Sequence, residues 1–231
     1  MPVEVCSYRL TLRGKPAGTH VLKTEGRGRH TQLEGRAQFQ GPLGLATVQQ
    51  RSRCHAQRHF SLRFREETQE RNEQRVFDVT FDNQQGLVTA TKGAKDVARM
   101  PYLRPYRDPL SILHELRSLG EVELARLPML GKDVTVQFVG EHDLDTALGK
   151  KRARVYLLHP GQSVVYVDVA APHTILKLTQ RLPDGHLDAL LVKVGSEPSL
   201  EPFEESGGGE KSGKSGKRRS RRRRPRRRRK S

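Results

Sequence analysis

The sequence predicts a mainly β fold, a strongly curved or barrel-like antiparallel sheet of about twelve strands with one amphipathic helix (108–120) and a disordered basic C-terminal tail. Two observations predict the sheet. Apolar and polar residues alternate with a period of two in one segment after another, which is typical of strands with one buried face. Short turns join these segments, and they favour antiparallel neighbours because parallel strands need crossovers of a dozen residues or more. A single segment has the helical period instead.

About seven strands are predicted before the helix. In residues 6–13 every second residue is apolar, and the turn Gly14-Lys15-Pro16-Ala17-Gly18 then reverses the chain. The stretch 45–65 is long and polar, and its alternation becomes sharp only near its end. The other segments with this pattern are residues 19–25, 31–40, 60–65, 76–81 and 87–91.

The helix is predicted from its ends as well as from its period. Asp108 can accept hydrogen bonds from the free N–H groups of the first turn, and Pro109 fits the first position, where no N–H is needed. Gly120 suits a left-handed C-terminal cap. The apolar face would comprise Ile112, Leu113, Leu116 and Leu119, and the opposite face Ser111, His114, Glu115 and Ser118. We therefore expect one amphipathic helix packed on the sheet.

About five further strands follow the helix, near residues 134–138, 152–158, 164–169, 174–181 and 186–194. Residues 121–127 fit either a short helix or a strand. The alternation stops near residue 195. This predicts a β-rich domain (1–195), an acidic and then Gly/Ser/Lys-rich linker (196–216) and an Arg-rich tail (217–231) that is disordered because it cannot bury apolar surface.

Charge is concentrated at the C-terminal end. Residues 206–231 hold fourteen Lys or Arg against one acid, Glu210, a net charge of +13. The whole chain carries +17, so the remaining residues carry only +4. A nearly balanced domain attached to a polycation predicts a polyanionic partner, nucleic acid first and an anionic membrane surface second.

The Arg-rich segment is the predicted binding site. Guanidinium groups bind phosphates bidentately and stack on exposed bases. Pro225 interrupts a continuous helix, so we expect an extended arm, and no base-reading element is evident, so binding should be sequence-tolerant. A solubilising tail or a localisation signal is the alternative. The predicted residues are Lys214, Lys217, Arg218, Arg219, Arg221, Arg222, Arg223, Arg224, Arg226, Arg227, Arg228, Arg229 and Lys230. The predicted function is non-enzymatic DNA or RNA binding, with the β domain as a platform for homo-oligomerisation or a protein partner.

A second basic patch is predicted at Lys150, Lys151, Arg152 and Arg154, and it would be extended by Arg99, Arg104 and Arg107 near the start of the helix. Such a run is also typical of a solvated hairpin turn, which is the simpler interpretation.

No residue set indicates catalysis or a cofactor. The phosphate-binding, dinucleotide-binding and hydrolase signatures are missing from the sequence, so we predict no catalytic residues. His55 and His59 beside Cys54, and His142-Asp143 with Asp145, lack a second ligand pair at zinc-type spacing, so we predict no metal site. Asp168 lies in an apolar run and is either a buried acid or a strand end.

Two cysteines, Cys6 and Cys54, do not form a disulfide framework. The N-terminal residues show no signal peptide, and no apolar run reaches the length of a membrane span. These features predict a cytoplasmic protein with two reduced thiols.

The order of these motifs resembles a bacterial β-rich family of unknown function. The resemblance covers roughly residues 5–195 and is carried by Tyr8, the Pro16-Ala17-Gly18 turn, Asp108-Pro109-Leu110-Ser111, Gly131 and Pro183-Asp184-Gly185. Members of that family are usually exported and are similar in outline to curved-sheet lipoprotein carriers. This chain departs from them in its N-terminus and in its Arg-rich tail. The resemblance implies an alternative function, a carrier of an apolar or lipid-like ligand whose basic tail docks to an anionic membrane, and this alternative predicts an apolar cavity.

Overall fold

The computed structural model describes residues 3–93, 96–197 and 200, which form one fourteen-stranded antiparallel sheet around a helix. The first eight strands are β1 (Val3–Leu12), β2 (Lys15–Arg27), β3 (His30–Phe39), β4 (Ala46–His55), β5 (Ser61–Glu70), β6 (Glu73–Asp82), β7 (Leu87–Lys92) and β8 (Asp96–Pro101). The helix α1 (Pro109–Leu116) follows. The last six strands are β9 (Leu124–Met129), β10 (Lys132–Thr146), β11 (Gly149–His159), β12 (Ser163–Asp168), β13 (Ile175–Leu182) and β14 (Gly185–Glu197).

The sheet consists of two meanders joined by the two terminal strands of the domain. Strands β1 to β8 pair in sequence, strands β9 to β14 do the same, and β1 pairs with β14 from Val3↔Glu197 to Leu12↔Leu187. The two edges of the sheet are therefore β8 and β9, which are the strands on either side of α1 in sequence. The segment that carries the helix consequently links one edge to the other.

Residues 102–108 bridge the two meanders. The backbone N–H of Ser61 on β5 donates to the carbonyl of Tyr106 (2.8 Å), and the N–H of Arg107 donates to the carbonyl of Pro128 on β9 (2.7 Å). These two hydrogen bonds connect β5 to β9 through residues 102–108 and so complete the barrel-like enclosure. Strands β5 to β8 and Tyr106 share a smaller core of their own, built from Phe64, Val79, Phe81, Val88 and Ala90.

The main core lies between α1, β1 and strands β10 to β14. Tyr8, Leu116, Tyr156, Leu176 and Leu191 are each fully buried or nearly so. The Tyr8 hydroxyl donates to the carbonyl of Ile175 (2.9 Å), which satisfies its polar end. Burial of each large apolar side chain contributes about 1.5–3 kcal/mol, so this cluster makes a large contribution to the stability of the domain.

The mainly β prediction with one helix is confirmed, and the strand count is fourteen rather than about twelve. One of the additional strands is β8, in the proline-containing stretch before the helix where the sequence pattern predicts no strand. The ambiguous stretch 121–127 contributes to β9, since Leu124–Met129 pairs with the start of β10. The long stretch 45–65 resolves into β4 and the start of β5.

The predicted N-terminal end of the helix is confirmed, whereas the predicted C-terminal end is four residues too late. Asp108 and Ser111 form a capping box. The helix ends at Leu116 because the following N–H groups bond to carbonyls three residues back, and Gly120 (φ 66°) lies beyond that tighter turn. Ser111 is fully buried against β5, so the predicted polar face is covered at the first turn of the helix, whereas Ser118 is exposed.

The last strand ends close to residue 195, where the sequence predicts the end of the β-rich domain. That strand runs to Glu197, and Leu200 is buried, with its N–H donating to Glu25 on β2 (3.2 Å). The rest of the predicted linker and the whole predicted tail (217–231) lie outside the described residues, so their predicted disorder stays a prediction.

Candidate ligand cavity and basic surfaces

Asp108 fixes the start of the helix inside the domain. One carboxylate oxygen accepts from the hydroxyls of Ser52 (2.6 Å) and Ser61 (2.5 Å), and the other accepts from the N–H groups of Leu110 and Ser111. Burial raises the pKa of Asp108, and these four hydrogen bonds oppose that rise. The cap therefore ties α1 to β4 and β5 as well as closing its first turn.

The other end of the helix is held by Arg117. Its guanidinium pairs with the carboxylate of Glu4 on β1 (2.5 Å) and donates to the carbonyls of Pro172 and His173 in the turn before β13. Arg107 makes a further pair with Glu115 (2.9 Å). These contacts set the position of α1 relative to both meanders, and hence the shape of the space beside it.

A cavity of about 430 Å³ lies beside α1, between the two meanders. Its walls are mostly apolar and include Leu10, Phe39, Ile112, Val134, Val165 and Ala189. Leu10, Ile112, Val134, Val165 and Ala189 are buried, so they form the floor, whereas Lys132, Pro160 and Gln180 are exposed and form the rim. The cavity is thus half-open, with an apolar interior and a polar edge.

His20 is a polar group in the wall of this cavity. Burial lowers its pKa from 6.5 to about 4, so the imidazole is neutral near pH 7. Its ring lies 5.9 Å from the ring of Tyr8. A neutral His20 leaves the wall uncharged and suited to an apolar occupant.

A second pocket, of about 490 Å³, lies across β1 to β4 and β14 and has a different character. Its lining includes Lys23, Glu34, Arg36 and Glu197. Lys23 pairs with Glu197 (2.5 Å), so part of this charge is satisfied internally. Because its lining is largely polar and charged, it does not offer an apolar site.

The strongest sequence-predicted site lies outside the described residues. This holds for Lys214, Lys217 and every Arg and Lys from 218 to 230, so their predicted nucleic-acid contacts stay a prediction. The structure supplies no geometry for them.

The second basic patch lies on the β10–β11 hairpin, among acids. Lys150 pairs with Asp143 (3.5 Å), Lys151 with Asp168 (3.1 Å), and Arg152 with both Glu141 and Asp143. Arg154 is buried, and its Nε and Nη2 atoms have no hydrogen-bond partner among the described residues. Nucleic-acid binding by this patch stays a prediction, and these pairs reduce the charge it offers.

The residues considered for metal binding are spread over separate environments. Cys54 is buried and directed to the carbonyl of Thr31, and His55 ends β4. Within residues 3–93 and 96–197, no three His, Cys, Asp or Glu side chains are grouped to hold a metal ion. Asp168 is the last residue of β12 and is buried, with its carboxylate paired to Lys151.

Sequence reasoning missed a pair of histidines beside the helix. The rings of His59 and His114 meet edge to face at 5.2 Å, and the Nε2 atom of His59 lies 3.2 Å from the Ser118 hydroxyl. Burial lowers the pKa of both, that of His114 to about 4. His59 lies in the β4–β5 turn, so only the folded chain brings the two together.

Comparison with known proteins agrees with this architecture. A family model described as "Protein of unknown function (DUF3108)" matches residues 7–192. The chain belongs to this family. The expected resemblance to a β-rich family of unknown function is therefore confirmed. No curated protein matches the DUF3108 chain.

A solved structure shares the fold. It is the beta-barrel-like protein of domain of unknown function DUF1849 from Brucella abortus, at 12% identity and a TM-score of 0.56, covering 85% of this chain and 98% of that one. At this identity the likeness concerns the fold alone. Among the described residues, no helix has the length and apolar character needed to cross a bilayer.

Proposed function

We propose that the β domain is a non-enzymatic carrier that holds an apolar or lipid-like ligand in the cavity beside α1. The observation that carries this proposal is a cavity of about 430 Å³ with an apolar floor and an exposed polar rim. Ligand sites typically have volumes of about 300–1,000 Å³ and a mainly apolar lining with few polar groups. Small barrels usually fill their interior with side chains, and the space left here favours an occupant.

The test is competition for the cavity by an added side chain. Ala37 lines the cavity from β3, and Ala37→Phe would place a ring inside it. Gln38 is exposed and lies on the opposite face of the same strand, so Gln38→Phe is the matched control. We expect the native protein and the control to bind the neutral apolar dye N-phenyl-1-naphthylamine, and Ala37→Phe to bind it at least tenfold more weakly. Equal binding by all three proteins would refute the proposal.

Nucleic-acid binding by the Arg-rich arm is a second and independent candidate, favoured by the +13 charge of residues 206–231. If six to ten of its side chains meet phosphates, affinity for mixed-sequence DNA or RNA should fall by about three to five orders of magnitude between roughly 50 and 200 mM salt. Deleting residues 206–231 should remove that salt dependence. Full retention by the shortened chain would exclude the arm as the site. The same deletion can also be tested for loss of docking to vesicles of anionic lipid, the alternative polyanionic partner. The cytoplasmic location stays a prediction.

A further inference from the structure

The charge around the cavity is one-sided. Lys132 lines the cavity and is exposed at its rim, and among the described lining residues there is no Asp or Glu. The other titratable group in the lining, His20, has its pKa lowered to about 4 and is neutral near pH 7. An occupant therefore meets an apolar interior and one positive charge at the edge.

Lys132 has no acidic partner of its own among residues 3–93 and 96–197. The adjacent acid, Asp133, is engaged elsewhere, since its carboxylate pairs with Arg104 (2.7 Å). Glu66 is the cross-strand partner of the lining residue Gln50 and accepts a hydrogen bond from its amide (2.7 Å), so this acid is engaged on β4 and β5 and makes no ion pair with Lys132. The ammonium group is thus available to a ligand that reaches the rim.

Two neutral hydrogen-bonding groups accompany Lys132 in the lining. Ser163 begins β12 and carries a hydroxyl, and Gln180 on β13 carries an amide that is exposed at the rim. By the strand register both lie two or three strands away from Lys132, so they leave that part of the rim uncharged, and the ammonium group is the contact for a carboxylate. The buried floor at Leu10, Ile112 and Val165 takes no polar group without a desolvation cost.

We propose that the ligand of this cavity is a single-chain anionic amphiphile of the fatty-acid type, with its hydrocarbon chain on the apolar floor and its carboxylate at Lys132. This inference rests on the proposed carrier function and adds the class and orientation of the ligand. The rim charge selects the anionic head group, and the neutral apolar floor selects the hydrocarbon chain.

The test compares three ligands with the same dodecyl chain on the full-length protein, below their micelle concentrations: dodecanoate, dodecanol and dodecyltrimethylammonium. Displacement of N-phenyl-1-naphthylamine reports their affinities. We expect dodecanoate to bind tightest and the cation weakest. Lys132→Met should weaken dodecanoate binding about three- to tenfold, the effect of one partly exposed ion pair with hydrogen bonds, and leave dodecanol unchanged.

Lys92→Met is the matched control, because Lys92 is an exposed lysine at the end of β7 outside the cavity lining. The basic C-terminal residues attract anions equally in all three proteins, so only the difference between the variants reports the rim. An unchanged preference for dodecanoate in Lys132→Met would overturn the head-group inference while leaving the carrier function standing. Failure of all three ligands to displace the dye would instead overturn the carrier function.

Discussion

The hydroxyl of Ser61 donates to the carboxylate of Asp108 at 2.5 Å, which joins the start of the helix to the fifth strand of the sheet. Ser52 on β4 donates to the same oxygen (2.6 Å). A single acid therefore serves as helix cap and as the junction between helix and sheet. Because α1 also forms a wall of the cavity, this junction determines both stability and the shape of the site.

Asp108→Asn should destabilise the protein strongly. The amide oxygen can accept from only one of the two pairs of donors, so either the first-turn N–H groups lose their acceptor or the Ser52 and Ser61 hydroxyls must turn to accept from the NH2 group, at a cost of about 1–3 kcal/mol. Urea unfolding followed by circular dichroism measures the change. Asp184→Asn, in the exposed β13–β14 turn, is the control and should cost less than about 0.5 kcal/mol. A small change for Asp108→Asn would show that the junction is not a source of stability.

Acid should destabilise the fold through buried neutral histidines. Burial lowers the pKa of both His20 and His114 from 6.5 to about 4. The two histidines are protonated near pH 6.5 in the unfolded chain but only near pH 4 in the folded chain. The free energy of unfolding is therefore highest above pH 6.5 and decreases as the pH falls from 6.5 to about 4. Each residue accounts for at most about 3 kcal/mol at the acid end.

The pH effect is measured by urea midpoints between pH 7.5 and pH 4.5. Replacing His20 with Gln removes one titrating group, so the slope of stability against pH should decrease. His186→Gln, at an exposed position in β14, should leave the slope as it is. Identical slopes for all three proteins would mean that His20 is not held neutral by the fold.

Local chemistry explains which features could be predicted from the sequence. Asp108 and Pro109 mark the helix start because capping and the missing N–H of proline act within one turn. The alternation with a period of two identified most strands because it, too, can be seen in the local sequence alone. Strand β8 was missed because its pairing with β7, from Leu87↔Pro101 to Lys92↔Asp96, depends on a partner and not on its own pattern.

The cavity could not be predicted residue by residue. Its floor combines Leu10, Ile112 and Val165, which are far apart in sequence and meet only because the sheet curves around α1. Lys132 is one lysine among many in the sequence, and only the structure shows that it lines the cavity while the adjacent Asp133 pairs with Arg104. The predicted tail differs from the cavity. Its positive charge can be counted from the sequence alone, whereas residues 217–231 lie outside the described part of the chain.

Gly18→Ala provides the sharpest test of the close pairing of β2 and β3. Gly18 has φ of 135°, and a Cβ there would lie 1.9 Å from the carbonyl oxygen of Gln38 on the neighbouring strand. Gly140 is the matched control, because its φ of 132° is nearly the same and a Cβ there meets nothing within 4 Å. Both glycines lie beside irregularities in the register of their strands.

The two substitutions separate backbone strain from steric overlap. Gly140→Ala should cost about 1–3 kcal/mol, the strain of an L-residue at such a φ. Gly18→Ala adds an overlap with backbone that cannot move without breaking the β2–β3 ladder, so we expect a loss of more than about 4 kcal/mol, or insoluble protein. Urea unfolding and the soluble yield measure the difference. Equal costs at the two positions would show that β2 and β3 separate readily at this point, and that the wall of the cavity formed by His20 and Ala37 is correspondingly adaptable.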